Sequence, residues 1–102
     1  MGDDITRHAI SAALARNWKQ AISANTALIQ KDKTNIDALN RLGFAYLQTG
    51  KFTASKKIYE LVLKLDPYNQ IALKNRKKLA NLKQKDVSKE QKESISPLFF
   101  RA

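Results

Sequence analysis

The sequence predicts an all-α protein made of two helical hairpins and a fifth, closing helix. Apolar residues recur at helical spacing, as in Leu39, Leu42 and Tyr46, and no stretch shows the strict alternation of a half-buried strand. Only three glycines and two prolines interrupt the 102 residues. The turn sequences also recur at a fixed distance along the chain, which is typical of repeat proteins.

The repeat has a period of 34 residues. The segment KDKTN (31–35) aligns with LDPYN (65–69) at this offset, which also places Trp18 on Phe52. One period therefore accounts for both turns and for both aromatic helix starts. The helices expected from this pattern are about 3–15, 18–32, 36–49, 52–65 and 69–85.

The central segment carries a set of apolar residues, glycines and a proline at fixed spacing. They are Leu39, Leu42, Gly43, Tyr46, Gly50, Phe52, Tyr59 and Pro67. In this spacing the segment resembles the tetratricopeptide repeat family, with Ser55 and Val62 in place of the usual alanines. The resemblance covers roughly residues 2–83 and is most specific in the middle.

The resemblance implies a short right-handed solenoid of helical hairpins, with two repeats and a C-terminal capping helix. The expected division is 2–35 for repeat 1, 36–69 for repeat 2, 70–85 for the capping helix and 86–102 for a polar linker with an apolar tail, so that residues 1–85 form the domain. Such a cap ends a repeat array with a polar outer face.

The resemblance also explains the glycine inside the third helix. Glycine at this place costs the helix roughly 1 kcal/mol relative to alanine. Because the two helices of a hairpin cross at Gly43, we expect close packing to offset that cost. Gly50 is expected to end the helix in a left-handed cap conformation, and Pro67 to close the following helix.

Repeat 1 departs from the pattern. His8 and Ala9 stand in place of the Leu-Gly pair, and Asn25 replaces the second aromatic residue. The alanines of this repeat still allow tight helix packing. His8 is the only histidine and cysteine is absent, so we expect a structural role for it, with no metal site and no cofactor.

The composition favours a binding protein over an enzyme. Nineteen basic and nine acidic residues give a net charge of +10, which suits acidic partners. The histidine has no serine or cysteine partner, the carboxylates do not pair, and no glycine-rich phosphate loop is present. We therefore expect no catalysis. Without a signal peptide or a long apolar run, we expect a cytoplasmic protein that does not engage membranes.

In the family that the sequence resembles, the first helix of each repeat lines a concave face. The candidate peptide-binding residues on that face are Ile10, Asn40, Phe44, Leu47, Lys74, Lys78 and Asn81. Apolar residues would form its floor and lysines a wall, which suits a peptide or helix with apolar anchors and acidic residues. Alternatively, a neighbouring helix or the chain's own tail covers Phe44.

Two other functions stay open at this point. The segment 70–85 holds six basic residues and no acidic one, so it could bind nucleic acid or another polyanion. The residues of that candidate site are Lys74, Arg76, Lys77, Lys78, Lys83 and Lys85. The second alternative is self-association through the apolar tail. Its candidate residues are Leu98, Phe99 and Phe100, which could dock on the same chain, link a homodimer or begin a further element.

Overall fold

The structure, a computed structural model, describes residues 2–95 and the side chains of residues 4–82. Its five helices are α1 (Gly2–Leu14), α2 (Trp18–Lys31), α3 (Ile36–Gln48), α4 (Phe52–Leu65) and α5 (Gln70–Ile95). The described residues contain no strand, so the all-α prediction is confirmed. The first four helices begin and end within one residue of their expected positions.

The fifth helix is longer than expected. The sequence analysis ends it at 85 and begins a linker at 86, whereas α5 continues to Ile95. The segment 84–94 lacks an apolar stripe, but it also lacks glycine and proline, and its lysines, glutamines and glutamates are good helix formers. The expected linker and tail beyond Ile95 lie outside the described residues.

The helices form an inner and an outer layer. Each helix packs on the next one along the chain, and α3 additionally contacts both α1 and α5. Among the described helices, α2 and α4 do not bring any Cα atoms within 8 Å of each other. The first helices of the hairpins therefore lie side by side, while the second helices splay apart on the opposite side. Within residues 2–95, no helix combines the length and hydropathy needed to span a membrane.

Both hairpin turns have the same hydrogen bonds, 34 residues apart. In the second hairpin, the Lys51 N–H donates to the Tyr46 carbonyl at 2.8 Å, and the Gly50 N–H to Leu47 at 3.2 Å. This is a Schellman motif, and Gly50 has the left-handed φ of 78° that the sequence predicts. In the first hairpin, Asn17 and Arg16 make the equivalent bonds.

The first hairpin turn carries a strained residue. Arg16 has a φ of 59° at the position that glycine occupies in the second hairpin. A residue with a Cβ is destabilised by roughly 1–2 kcal/mol in this conformation. Glycine would remove that strain, but its larger chain entropy in the unfolded state would offset part of the gain. We expect Arg16→Gly to raise the free energy of unfolding by about 0.5–1 kcal/mol, measured by urea unfolding. Arg16→Ala is the control and should give no gain, because it keeps the Cβ; a less stable Arg16→Gly would contradict the assignment.

The turns between repeats also match each other. Asn35 accepts from the Ala38 N–H at 3.1 Å, and Asn69 accepts from the Ala72 N–H at 3.0 Å, so each asparagine caps the helix that follows. Asp32 accepts bonds from the side chain and the N–H of Thr34, and these bonds lower the pKa of its carboxyl group. The capping hydrogen bonds of the two turns thus recur with the same period as the sequence.

In the second hairpin, α4 packs closely on Gly43. An added Cβ on this residue would lie 2.8 Å from Cζ of Tyr59, and the Ser55 hydroxyl donates to the Gly43 carbonyl at 2.7 Å. Tyr59 is fully buried and packs with Leu39 and Val62 in the core between α3 and α4. The expected crossing of the two helices at Gly43 is confirmed.

In the first hairpin, alanines and an asparagine replace these large side chains. Ala9 and Ala21 are completely buried, which brings α1 and α2 close together. Asn25 stands at the position of Tyr59 and is also fully buried. Its amide donates to the Ala21 carbonyl at 2.8 Å, and its oxygen accepts from Nε of Arg41 at 2.8 Å. Repeat 1 is therefore joined to repeat 2 by a buried polar contact.

Candidate functional site

The inner layer presents equivalent residues of three successive helices. Ile10, Phe44 and Lys78 are separated by the repeat period and occupy the same place in α1, α3 and α5. Because α3 contacts both other helices, these residues form a row across the layer. We call this row, together with Lys74 and Asn81, the inner face.

The apolar part of the inner face is half open. Ile10 and Phe44 are each 38% exposed. The Phe44 ring meets Trp18 edge to face, with the ring centroids 5.7 Å apart and an interplanar angle of 72°. Such a contact fixes the ring while leaving one side of it accessible. A neighbouring helix therefore supports Phe44 but does not cover it.

Two residues expected on this face lie beneath it. Leu47 is 7% exposed and belongs to the core with Leu39 and Tyr59. Asn40 is also 7% exposed, and its amide donates to Oδ1 of Asn69 at 3.3 Å, which ties α3 to the start of α5. Both residues support the face rather than form its open surface. The exposed floor consists of Phe44 and Ile10 without Leu47.

The α5 part of the inner face is charged and open. Lys74 and Lys78 take the positions that Asn40 and Phe44 hold in α3, and both are exposed, as is Asn81. The face thus changes from apolar on α1 and α3 to basic on α5. Such a surface can hold an apolar anchor and a carboxylate at the same time.

The described basic residues of α5 contribute to two surfaces. Lys74 and Lys78 belong to the inner face, whereas Arg76 and Lys77 line a groove between α4 and α5. The side chains of Lys83 and Lys85 lie outside the described residues. Because Lys77 and Lys78 follow Lys74 by three and four residues, these three lysines share one side of the helix, and the polyanion site stays a prediction.

The sequence analysis missed the groove between α4 and α5. Its volume is about 670 Å³. Its floor includes Phe52, Leu73 and Ala80, and its rim carries Lys56, Arg76 and Lys77. The signal was present in the repeat, because Leu73 is equivalent to Leu39 but no further helix covers it within residues 2–95. We call this surface the α4–α5 groove.

The remaining predictions concern His8 and the C-terminal tail. His8 is exposed on α1 and, within the described residues, no three histidine, cysteine or acidic side chains gather in a cluster fit for a metal ion. The tail residues proposed for self-association, Leu98, Phe99 and Phe100, lie outside the described residues.

Comparison with known proteins identifies the second hairpin. Residues 36–69 match the model of the tetratricopeptide repeat family. The resemblance seen in the sequence is confirmed over that segment, which has the same bounds as the expected repeat 2. A search of curated proteins gives no match.

Proposed function

We propose that this chain, which carries a tetratricopeptide repeat at residues 36–69, is a protein-interaction module that binds a peptide or helix on its inner face. Tetratricopeptide repeats generally mediate protein–protein interactions and are not catalytic, so the chain acts by binding and not as an enzyme. The observation that carries the proposal is the open side of Phe44, a large aromatic ring held in place by Trp18.

Rigid aromatic residues are effective anchors for binding. Phe44 has two rotatable side-chain bonds, and its contact with Trp18 already restricts it, so little side-chain entropy remains to be lost on binding. Aromatic side chains dominate the binding energy of interfaces by burying large apolar areas. Ile10 extends the same floor on α1.

The charges of the inner face select the partner. Lys74 and Lys78 are exposed beside this floor, and charge complementarity contributes more to specificity and association rate than to raw affinity. The proposed partner therefore carries apolar anchors followed by acidic residues. A cytoplasmic scaffold that gathers such partners is the role we propose.

A peptide selection tests the proposal on the full chain. Peptides from a random display library are selected on the wild-type protein, and their affinities are measured by fluorescence anisotropy. We expect the selected peptides to combine apolar and acidic residues, and Phe44→Ala to weaken their binding about thirtyfold, as loss of a hot-spot anchor does.

A matched control separates binding from folding. Leu61 is 45% exposed on α4, in the outer layer, so Leu61→Ala should leave the affinity within about twofold of wild type. Helical circular dichroism of both variants checks that they are folded. If Phe44→Ala binds the selected peptides as tightly as wild type does, the inner face is not the binding site. Selected binders that are lost in raised salt and do not need Phe44 would instead favour polyanion binding.

A further inference from the structure

The α4–α5 groove is a second surface of α5, and none of the inner-face residues lines it. Phe52 and Leu73 are half-buried at its floor and Ala80 is exposed. Lys56, Arg76 and Lys77 are exposed at its rim. None of these residues belongs to the inner face.

The repeat shows what covers an equivalent surface elsewhere in the same molecule. On α3, Leu39 and Leu42 are 1% and 4% exposed because α4 packs over them. The equivalent residues on α5 are Leu73 and Arg76, and no helix of residues 2–95 packs over that side of α5. The groove thus corresponds to the surface of α3 that α4 covers.

The residues that α5 has in place of the α3 residues determine which kind of helix could cover the groove. The Leu42-Gly43 pair of α3 becomes Arg76-Lys77 on α5. On α3 the ring of Tyr59 fills the space beside the glycine, whereas a lysine fills that space on α5. A second helix of the α4 type, with an aromatic residue at that point, would clash with it. A helix with a carboxylate there would pair with Arg76 and Lys77 instead.

The charge of the groove favours the same occupant. Three cations, Lys56, Arg76 and Lys77, face one acidic residue, Glu60, around an apolar floor. Like charges brought together across an interface disfavour binding, whereas complementary charges accelerate association. An amphipathic helix with an apolar face and acidic flanks therefore fits, and a basic one does not.

The chain's own tail fits poorly. Along α5, Ile95 lies about 22 Å beyond Ala80 at 1.5 Å per residue. From Ile95 the chain reaches Phe100 within at most about 18 Å, even fully extended. Even fully extended, the tail's backbone would stop about 4 Å short of Ala80, so at most its last apolar side chain could approach the groove while α5 is intact. The tail also carries Arg101 and no acidic side chain, so its charge does not complement the groove.

We propose that the α4–α5 groove binds an acidic amphipathic helix of a partner protein. The helix lies on α5 as α4 lies on α3, with its apolar face on Phe52, Leu73 and Ala80. Its carboxylates pair with Arg76 and Lys77 at the rim. The chain then engages partners on two surfaces, to both of which α5 contributes.

The test uses the full chain and a synthetic helical peptide with leucine and alanine on one face and glutamate on both flanks. A second peptide has lysine in place of every glutamate, and a third is SISPLFFRA. We expect the glutamate peptide to bind about tenfold or more tightly than the lysine peptide. Backbone amide NMR shifts should change around Phe52, Leu73 and Ala80.

Two charge-reversal variants locate the site. Arg76→Glu with Lys77→Glu should weaken binding of the glutamate peptide about tenfold or more. Lys74→Glu with Lys78→Glu changes the same helix outside the groove lining and should change that affinity less than about threefold. All four residues are exposed, so both variants should fold. Equal binding of the glutamate and lysine peptides, shifts confined to the inner face, or tighter groove binding by SISPLFFRA would each overturn the proposal. The last result would assign the groove to the tail of a second copy.

Discussion

Replacing Tyr59 with alanine is expected to lower the free energy of unfolding by about 3–5 kcal/mol, the usual range for removing a buried aromatic ring. The ring is fully buried and packs on Gly43 between α3 and α4. Because the whole free energy of unfolding of a small domain is only about 5–15 kcal/mol, this single change removes a large part of it. Urea unfolding followed by circular dichroism measures the effect.

A second substitution, Gly43→Ala, tests whether the Tyr59 ring packs directly on Gly43. In the wild-type chain, Gly43→Ala places a methyl group 2.8 Å from the ring, which outweighs the roughly 1 kcal/mol gained in helix propensity. In the Tyr59→Ala background the ring is absent, so Gly43→Ala should become stabilising by about 1 kcal/mol. Trimethylamine N-oxide can be added to all samples to keep the weakest variant folded. Gly43→Ala with the same effect in both backgrounds would contradict the close contact.

Tyr59→Phe is the matched control for this pair. Burial raises the pKa of the Tyr59 phenol, and its hydroxyl has no hydrogen-bond partner among the described residues. An unpaired buried hydroxyl is destabilising. Tyr59→Phe keeps the ring on Gly43 and should therefore be as stable as wild type or more stable.

Replacing Asn25 with leucine is expected to lower the free energy of unfolding by about 3 kcal/mol, because a charged donor would be left without its partner. Nε of Arg41 donates to Oδ1 of Asn25 at 2.8 Å. Burial lowers the pKa of the Arg41 guanidinium, and Asp37 opposes the shift. The asparagine therefore compensates a partly buried cation where repeat 2 has an aromatic ring.

A double variant distinguishes this explanation from a packing effect. When both partners are replaced by apolar residues, the loss is much smaller than when one is left unpaired. Asn25→Leu with Arg41→Leu should thus recover most of the stability lost by Asn25→Leu alone in urea unfolding. Gln30→Leu, an exposed change on the same helix, should have little effect. A single Asn25→Leu variant as stable as wild type would refute the polar contact.

The helix positions could be predicted because local chemistry determines them. Gly50 and the asparagines Asn35 and Asn69 mark helix ends that the structure reproduces, and the period of 34 residues aligns the two hairpins. The extension of α5 to Ile95 could not be predicted from apolar periodicity. Periodicity reports which face a helix buries, and a polar helix that buries no face leaves no such pattern.

The candidate site was predicted only in part. The repeat puts Phe44 and Ile10 at equivalent positions of two hairpins, and both are exposed; their role in binding stays a prediction. Burial of Leu47 and Asn40 depends on how closely α3 packs on α4 and α5, which a single sequence does not reveal. The α4–α5 groove was missed because it is defined by a helix that does not follow in residues 2–95.

The central claim is that the inner face binds peptides. The most direct measurement is a backbone amide NMR titration of the full chain with one of the selected peptides. We predict saturable shifts that cluster in α1 around Ile10, in α3 around Phe44 and in α5 around Lys74 and Lys78. Shifts confined to the outer helices α2 and α4, or no saturable shifts anywhere, would contradict the claim.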